Sequence, residues 1–169
     1  MTSDPGPAAA PPHFVLRVSA FFGGYFLNPG VVLPWFPVWL HGRGLSDVEI
    51  ASVIAIPLAV RVSLAPLGGY IADKTPTRRF AARLFLAPAA IVFLFAWTAS
   101  TYWPLLLITG AAFTLWQLAL PAAEALALTG VRRFGLDYGR MLLGGSISFV
   151  LANLAAGALL SLFHAESIF

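Results

Sequence analysis

Five long apolar stretches, separated by short polar connections, dominate the pattern of this chain. Each is near or above the ~20 residues that a helix needs to cross about 30 Å of hydrocarbon. They cover residues 14–40, 48–72, 80–98, 103–128 and 141–163. In lipid only helices and closed barrels satisfy every backbone group, and these continuous runs lack the period-two alternation of a barrel strand. The pattern predicts an all-α polytopic membrane bundle of five transmembrane helices.

The flanking segments support this division. Residues 1–13 are rich in proline and lack the basic start of a secretory signal, so they predict a disordered cytoplasmic tail and an uncleaved first span. Residues 164–169 are expected to form a short external tail. Ser46 and Glu49 have the spacing of a capping box, which predicts the start of the second helix.

The composition excludes a soluble domain and argues against metal, cofactor, enzymatic and nucleic-acid-binding sites. The chain is 59% hydrophobic and 10% charged, whereas a soluble domain carries about 25% charged residues. Without cysteine, and with three scattered histidines, the sequence predicts no metal site and no cofactor. No enzyme motif is found. The arginines of the loops are explained by membrane orientation, so we expect no nucleic-acid partner.

The basic residues predict the orientation of the bundle. Only Arg43 lies on one side of the predicted membrane, and eight others share the opposite side, which the positive-inside rule makes cytoplasmic. These eight are Arg17, Lys74, Arg78, Arg79, Arg83, Arg132, Arg133 and Arg140. Five spans then place the N-terminus in the cytoplasm and the C-terminus outside a bacterial inner membrane. Four tryptophans at the external ends agree with this orientation.

Four polar side chains fall near the middle of the membrane. Counted from the cytoplasmic end of each span at about 1.5 Å per residue, they lie at depths of roughly 18 to 21 Å. They are Asn28, Arg61, Gln117 and Asn153. The third span contributes no strongly polar side chain there, which predicts that it is peripheral.

Arg61 needs a partner, because a guanidinium at this depth costs about 2.5 to 3.5 kcal/mol. Glu124 is the only carboxylate well inside a span and is a candidate counter-charge, although it lies about 9 Å shallower. Arg61 could instead bind helix-end carbonyls, and the amides could simply bond between helices. Asn28, Pro29 and Gly30 predict either a helix interruption or a packing kink.

The cytoplasmic end of the second span carries a motif. Residues 69–79 read GYIADKTPTRR, which resembles the signature between helices two and three of the major facilitator superfamily. Pro76 and Thr77 depart from the glycine and arginine common in that signature. The resemblance implies a conformational role for Gly69, Asp73, Lys74 and Arg78.

A longer pattern resembles one branch of that superfamily, the phenylpropionate permeases and nucleoside proton symporters. It includes residues 33–40, residues 44–46 and residues 54–57 ahead of Arg61. Pro121 with Glu124, Tyr138 to Arg140, and Gly145 with Ser146 continue it. Leu142 and Gly144 depart from it, where the branch commonly has arginine and tryptophan.

The resemblance implies the N-terminal part of a twelve-helix secondary transporter that moves a small organic solute together with protons, with an aromatic acid as the favoured solute. Arg61 would attract its carboxylate, Glu124 would carry the proton, and Asn28, Gln117 and Asn153 would orient the solute. A nucleoside or sugar symporter is the alternative. Alternating access in such transporters requires one helix bundle to move against another. We therefore expect a missing C-terminal bundle or an oligomeric partner, and we expect no transport by five spans alone. A non-transporting membrane protein that acts through a partner is the other alternative.

Overall fold

The chain folds into α-helices joined by short connections in the computed structural model, which describes residues 9–162 except the side chains of Ala72, Arg78, Arg79 and residues 160–162. The six α-helices are α1 (Phe14–Gly42), α2 (Asp47–Lys74), α3 (Arg78–Phe95), α4 (Tyr102–Leu118), α5 (Leu120–Phe134) and α6 (Tyr138–Leu162). A short 3-10 helix, Ala96–Thr98, follows α3. Within residues 9–162 no strand is found.

Five helical segments are long and apolar enough to cross a membrane, counting α4 and α5 as one. Many of their large apolar side chains are exposed, including Leu16, Leu94 and Leu154. Exposed apolar surface on this scale fits lipid rather than water. The prediction of an all-α membrane bundle with five spans is therefore confirmed. Residues 1–8 of the predicted tail, Phe163 and the predicted external tail lie outside the described residues.

The fourth span is divided, although the sequence pattern predicts one continuous run. α4 ends at Leu118 and α5 begins at Leu120, with Ala119 between them. Pro121 has no N–H with which to donate to the carbonyl of Gln117 four residues earlier. The Ala119 amide donates to the carbonyl of Trp116, three residues earlier, at 3.2 Å, which closes the last turn of α4 more tightly.

α1 runs without interruption through Asn28, Pro29 and Gly30, so the interruption, one of the two alternatives predicted there, is absent. The helix ends at Gly42 in a Schellman motif. Gly44 has a φ of +80°, its amide donates to the carbonyl of His41 at 2.9 Å, and the amide of Leu45 donates to that of Leu40 at 3.4 Å. The next helix begins with the predicted capping box, because Ser46 and Glu49 bond each other reciprocally at 2.8 and 3.4 Å.

The described residues form two compact units. The first comprises residues 9–34 and Ala123–Leu162, and the second comprises Trp35–Ala122.

In the first unit, α1 and α6 pack at very short range. A Cβ atom at Gly144 would lie 2.7 Å from the carbonyl oxygen of Ser19, and one at Gly30 would lie 2.7 Å from that of Phe149. The Ser148 hydroxyl also donates to the Gly23 carbonyl at 2.7 Å. Small residues and hydroxyl groups are the usual means by which membrane helices approach each other closely.

In the second unit, α4 packs against α2 and α3. The ring of Phe113 on α4 contacts Phe36 edge to face at 5.1 Å and Phe93 at 6.0 Å between centroids. Gly68 on α2 faces Leu118, and a Cβ at that glycine would lie 2.6 Å from a methyl carbon of the leucine.

Candidate functional site

Arg61 lies on the packed face of α2. Ile50, Val53, Pro57 and Gly68 are buried at intervals of three, four and eleven residues, and Arg61 continues this stripe four residues after Pro57. Its side chain is half-buried. The flanking residues, Val60 and Val62, are exposed. The guanidinium therefore belongs to the helix-facing side of α2.

No described carboxylate of the second unit can reach Arg61. The three in this unit are Asp47, Glu49 and Asp73, at the two ends of α2. Glu49 and Asp73 each lie twelve residues away, which is about 18 Å along a helix. Among the described residues of this unit, no hydrogen bond or ion pair to Arg61 is found. An intramembrane guanidinium in this setting is by default a candidate binding group.

Gln117 is half-buried near the end of α4 and is offset from Arg61 along the helix axes. The contact of Gly68 with Leu118 places Gln117 about 9 Å closer to the C-terminal end of α2 than Arg61. The contact of Pro57 with Gly110 reduces this offset to about 4 Å. The two side chains therefore lie about 4 to 9 Å apart in level, whereas counting residues from the helix ends predicted a common depth.

Asn28 and Asn153, both half-buried, lie level with each other in the first unit. Gly23 lies five residues before Asn28, and Ser148 lies five residues before Asn153. The hydrogen bond between Ser148 and Gly23 therefore places the two asparagines at the same height. The contact between Gly30 and Ala152 gives an offset of three residues, or about 4 Å. Each amide therefore projects from a closely packed helix pair at nearly one height.

Glu124 is half-buried on α5 of the same unit. Its carboxylate lies within electrostatic range of the Tyr138 hydroxyl at the start of α6. The other described carboxylate of this unit, Asp137, accepts from the Arg140 amide at 2.7 Å and so caps α6. Of these two described carboxylates, Glu124 is the one that does not cap a helix.

The predicted conformational motif lies at the junction of α2 and α3. Asp73 and Lys74 are exposed at the end of α2, and the Lys74 ammonium lies 5.6 Å from the centre of the Tyr70 ring. The backbone of Arg78 opens α3, but its side chain is outside the described part. Gly69 has no atom within 4 Å of a Cβ built on it. Helix packing within the unit therefore does not require glycine at this position.

Three residues have structural roles that the sequence analysis did not predict. Thr77 caps α3 by accepting from the Phe80 amide at 3.2 Å, which gives a local reason for threonine at a position where the motif usually has arginine. Its position before the helix was an available signal. Ser148 and Arg43 act through contacts distant in sequence, for which no local signal exists. Within residues 9–162, no group of three or more histidine, aspartate or glutamate side chains could hold a metal ion.

Comparisons with known proteins place this arrangement in a family. The family described as "MFS_1 like family" matches residues 15–168. A probable 3-phenylpropionic acid transporter of Escherichia coli (strain K12) is 33% identical over 144 residues, which are 82% of this chain and 37% of the relative. A maltose permease of Geobacillus stearothermophilus is 30% identical over 141 residues, 81% of this chain and 35% of the relative. No solved structure gives a significant match.

The chain spans about a third of the length of these curated relatives. Both relatives are named for transport and neither for an enzymatic reaction. The family match covers nearly all of the five-span bundle. The chain therefore belongs to the MFS_1 like family, within the major facilitator superfamily of membrane transporters.

Proposed function

We propose that this chain takes part in proton-coupled symport of a small organic solute, with an aromatic carboxylic acid as the favoured solute. Arg61 carries the proposal. It lies mid-helix on the packed face of α2, and the described carboxylates of its unit lie at the helix ends. A carboxylate on the solute would supply the missing counter-charge, and an arginine binds a carboxylate through two parallel hydrogen bonds.

The other predicted side chains have complementary roles. Asn28, Gln117 and Asn153 are half-buried amides, and each can donate and accept hydrogen bonds to orient a solute. The offset of Gln117 from Arg61 suits a solute that extends several ångströms from its carboxylate toward the C-terminal end of α2.

The name of one relative agrees with the favoured solute. The Escherichia coli protein is named for 3-phenylpropionic acid, which combines a carboxylate with an aromatic ring. The maltose permease favours the alternative, a sugar or nucleoside. With a neutral solute, Arg61 would have a coupling or structural role.

Glu124 is the proposed proton carrier. Its carboxylate is half-buried and lies within electrostatic range of the Tyr138 hydroxyl. Gly69, Asp73, Lys74 and Arg78 would form the conformational motif. We propose a bacterial inner membrane as the location, with the N-terminus in the cytoplasm and the C-terminus outside. A further helix bundle or an oligomeric partner would complete the transporter.

Equilibrium binding tests the choice of solute. The purified chain in bicelles is titrated with radiolabelled 3-phenylpropionate, with unlabelled maltose and uridine as competitors. We expect saturable binding that neither neutral compound displaces, and loss of binding in Arg61→Gln but not in Arg83→Gln, which changes an exposed arginine on α3. Displacement by maltose or uridine, or equal binding by the two variants, would contradict the proposal.

A further inference from the structure

Arg43 occupies the end of α1, where the local backbone fixes its direction. It follows Gly42, the last helical residue, and precedes Gly44, whose φ of +80° completes the Schellman motif. The Arg43 amide donates to the carbonyls of Trp39 and Leu40 at 3.2 and 3.1 Å. This backbone geometry places Arg43 at the helix terminus independently of its side-chain contacts.

The guanidinium of Arg43 reaches the end of another helix. It donates to the carbonyl of Ala99 and, at 3.2 Å, to the carbonyl of Trp97. Both carbonyls belong to the turn in which α3 and its 3-10 helix end, and helix ends leave carbonyls without an intrahelical partner. A planar guanidinium with five N–H groups can satisfy two such carbonyls at once.

Two indole rings flank the same guanidinium. Its central carbon lies 4.7 Å from the centre of the Trp39 ring, one turn earlier on α1, and 6.0 Å from that of Trp97. Cation-π contacts at these distances add to the hydrogen bonds. Trp97 therefore contacts the guanidinium twice, through its ring and through its carbonyl oxygen.

We propose that Arg43 is a clamp that fastens the C-terminal end of α1 to the C-terminal end of α3, so that these two ends move as one piece. The clamp lies entirely within the second unit. It depends on geometry alone and not on the identity of the transported solute. Its loss would free the turn at residues 96–101 while leaving the helices in place.

A buried alanine in this turn provides the test. Ala99 is 6% exposed, and the natural chain has no cysteine, so Ala99→Cys creates a single thiol that reacts only when the turn opens. The rate of alkylation by N-ethylmaleimide is measured on the full chain in detergent micelles, where neither membrane orientation nor transport enters. Ser100→Cys, at an exposed neighbouring position, gives the rate of an accessible thiol.

We expect Arg43→Ala to raise the alkylation rate of Ala99→Cys about tenfold, because hydrogen bonds to a charged group are lost. Tenfold corresponds to about 1.4 kcal/mol. Arg43→Lys keeps the charge without the planar fork and should give a smaller rise. Arg83→Ala, which removes an exposed arginine elsewhere on α3, should leave the rate unchanged.

Two results would overturn the clamp. One is an unchanged rate in Arg43→Ala, and the other is an equal rise in Arg83→Ala. If Arg43→Ala does not fold, as judged by circular dichroism, Arg43→Lys decides, and a rate equal to that of the unsubstituted arginine refutes the clamp. Because alkylation needs no solute, failure here leaves the proposed transport role intact, and failure of solute binding leaves the clamp intact.

Discussion

Replacement of Gly144 by alanine probes the packing of α1 against α6. The new Cβ would lie 2.7 Å from the carbonyl oxygen of Ser19 and would also meet the Ser19 hydroxyl. Carbon and oxygen atoms normally approach no closer than about 3.3 Å. The close contact is with backbone, so the helices must separate by at least about 0.6 Å.

The expected cost follows from this separation. Overpacking in a close-fitting core costs about 1 to 3 kcal/mol. Weakening the hydrogen bond of Ser148 to Gly23 adds about 0.6 kcal/mol. Alanine is favoured over glycine in a helix by about 1 kcal/mol, which offsets part of the loss. Gly157→Ala, also on α6, gains the same propensity where no atom lies within 4 Å of the new Cβ. The two variants should therefore differ by about 2 to 4 kcal/mol in free energy of unfolding.

The assay uses a single buried thiol, because all five tryptophans lie in the second unit and would not report on this helix pair. Ala156→Cys on α6 is 3% exposed and serves as the reporter. Pulse alkylation of this thiol along an SDS titration gives the free energy of unfolding for each variant. Equal stability of Gly144→Ala and Gly157→Ala would refute the packing argument.

Four further substitutions test separate parts of the chain. Arg61→Lys keeps the charge but not the bidentate geometry, so 3-phenylpropionate binding should weaken about tenfold or more in an equilibrium titration; unchanged affinity would exclude the paired hydrogen bonds. Glu124→Gln removes the carboxylate proposed to carry the proton, so proton uptake on binding of 3-phenylpropionate, measured with a pH-sensitive dye in weakly buffered solution, should be lost; retained uptake would place the proton elsewhere. Gly69→Ala gains helix propensity with no atom within 4 Å of its new Cβ and should raise the melting temperature, whereas Gly68→Ala, which meets a methyl carbon of Leu118 at 2.6 Å, should melt below Gly69→Ala; equal melting of the two would contradict the packing given for α2.

The number and type of spans could be predicted from the sequence, because both depend on local properties. Apolar runs of sufficient length determine the helices, and lipid leaves the backbone few alternatives. The start of α2 was equally predictable, since Ser46 and Glu49 lie three residues apart and bond each other. The confirmed family also agrees with the motif at residues 69–79, which is local in sequence.

Relations between helices could not be predicted in the same way. Depth counted from helix ends gave Arg61 and Gln117 one level, but the contacts between α2 and α4 give an offset of about 4 to 9 Å. The sequence left open an interruption or a kink at Asn28, Pro29 and Gly30; α1 continues without interruption, and Gly30 contacts α6. Both features depend on contacts with a neighbouring helix, which the sequence of a single helix does not specify.

Protection of a site thiol by the solute tests most directly whether the predicted residues bind an aromatic acid. Gln117→Cys and Ser100→Cys each provide one thiol in a chain without natural cysteine. We predict that saturating 3-phenylpropionate slows alkylation of Gln117→Cys and leaves Ser100→Cys unchanged. Undiminished alkylation of Gln117→Cys, or protection by maltose in place of the acid, would contradict the proposed solute and the assignment of Gln117 to its site.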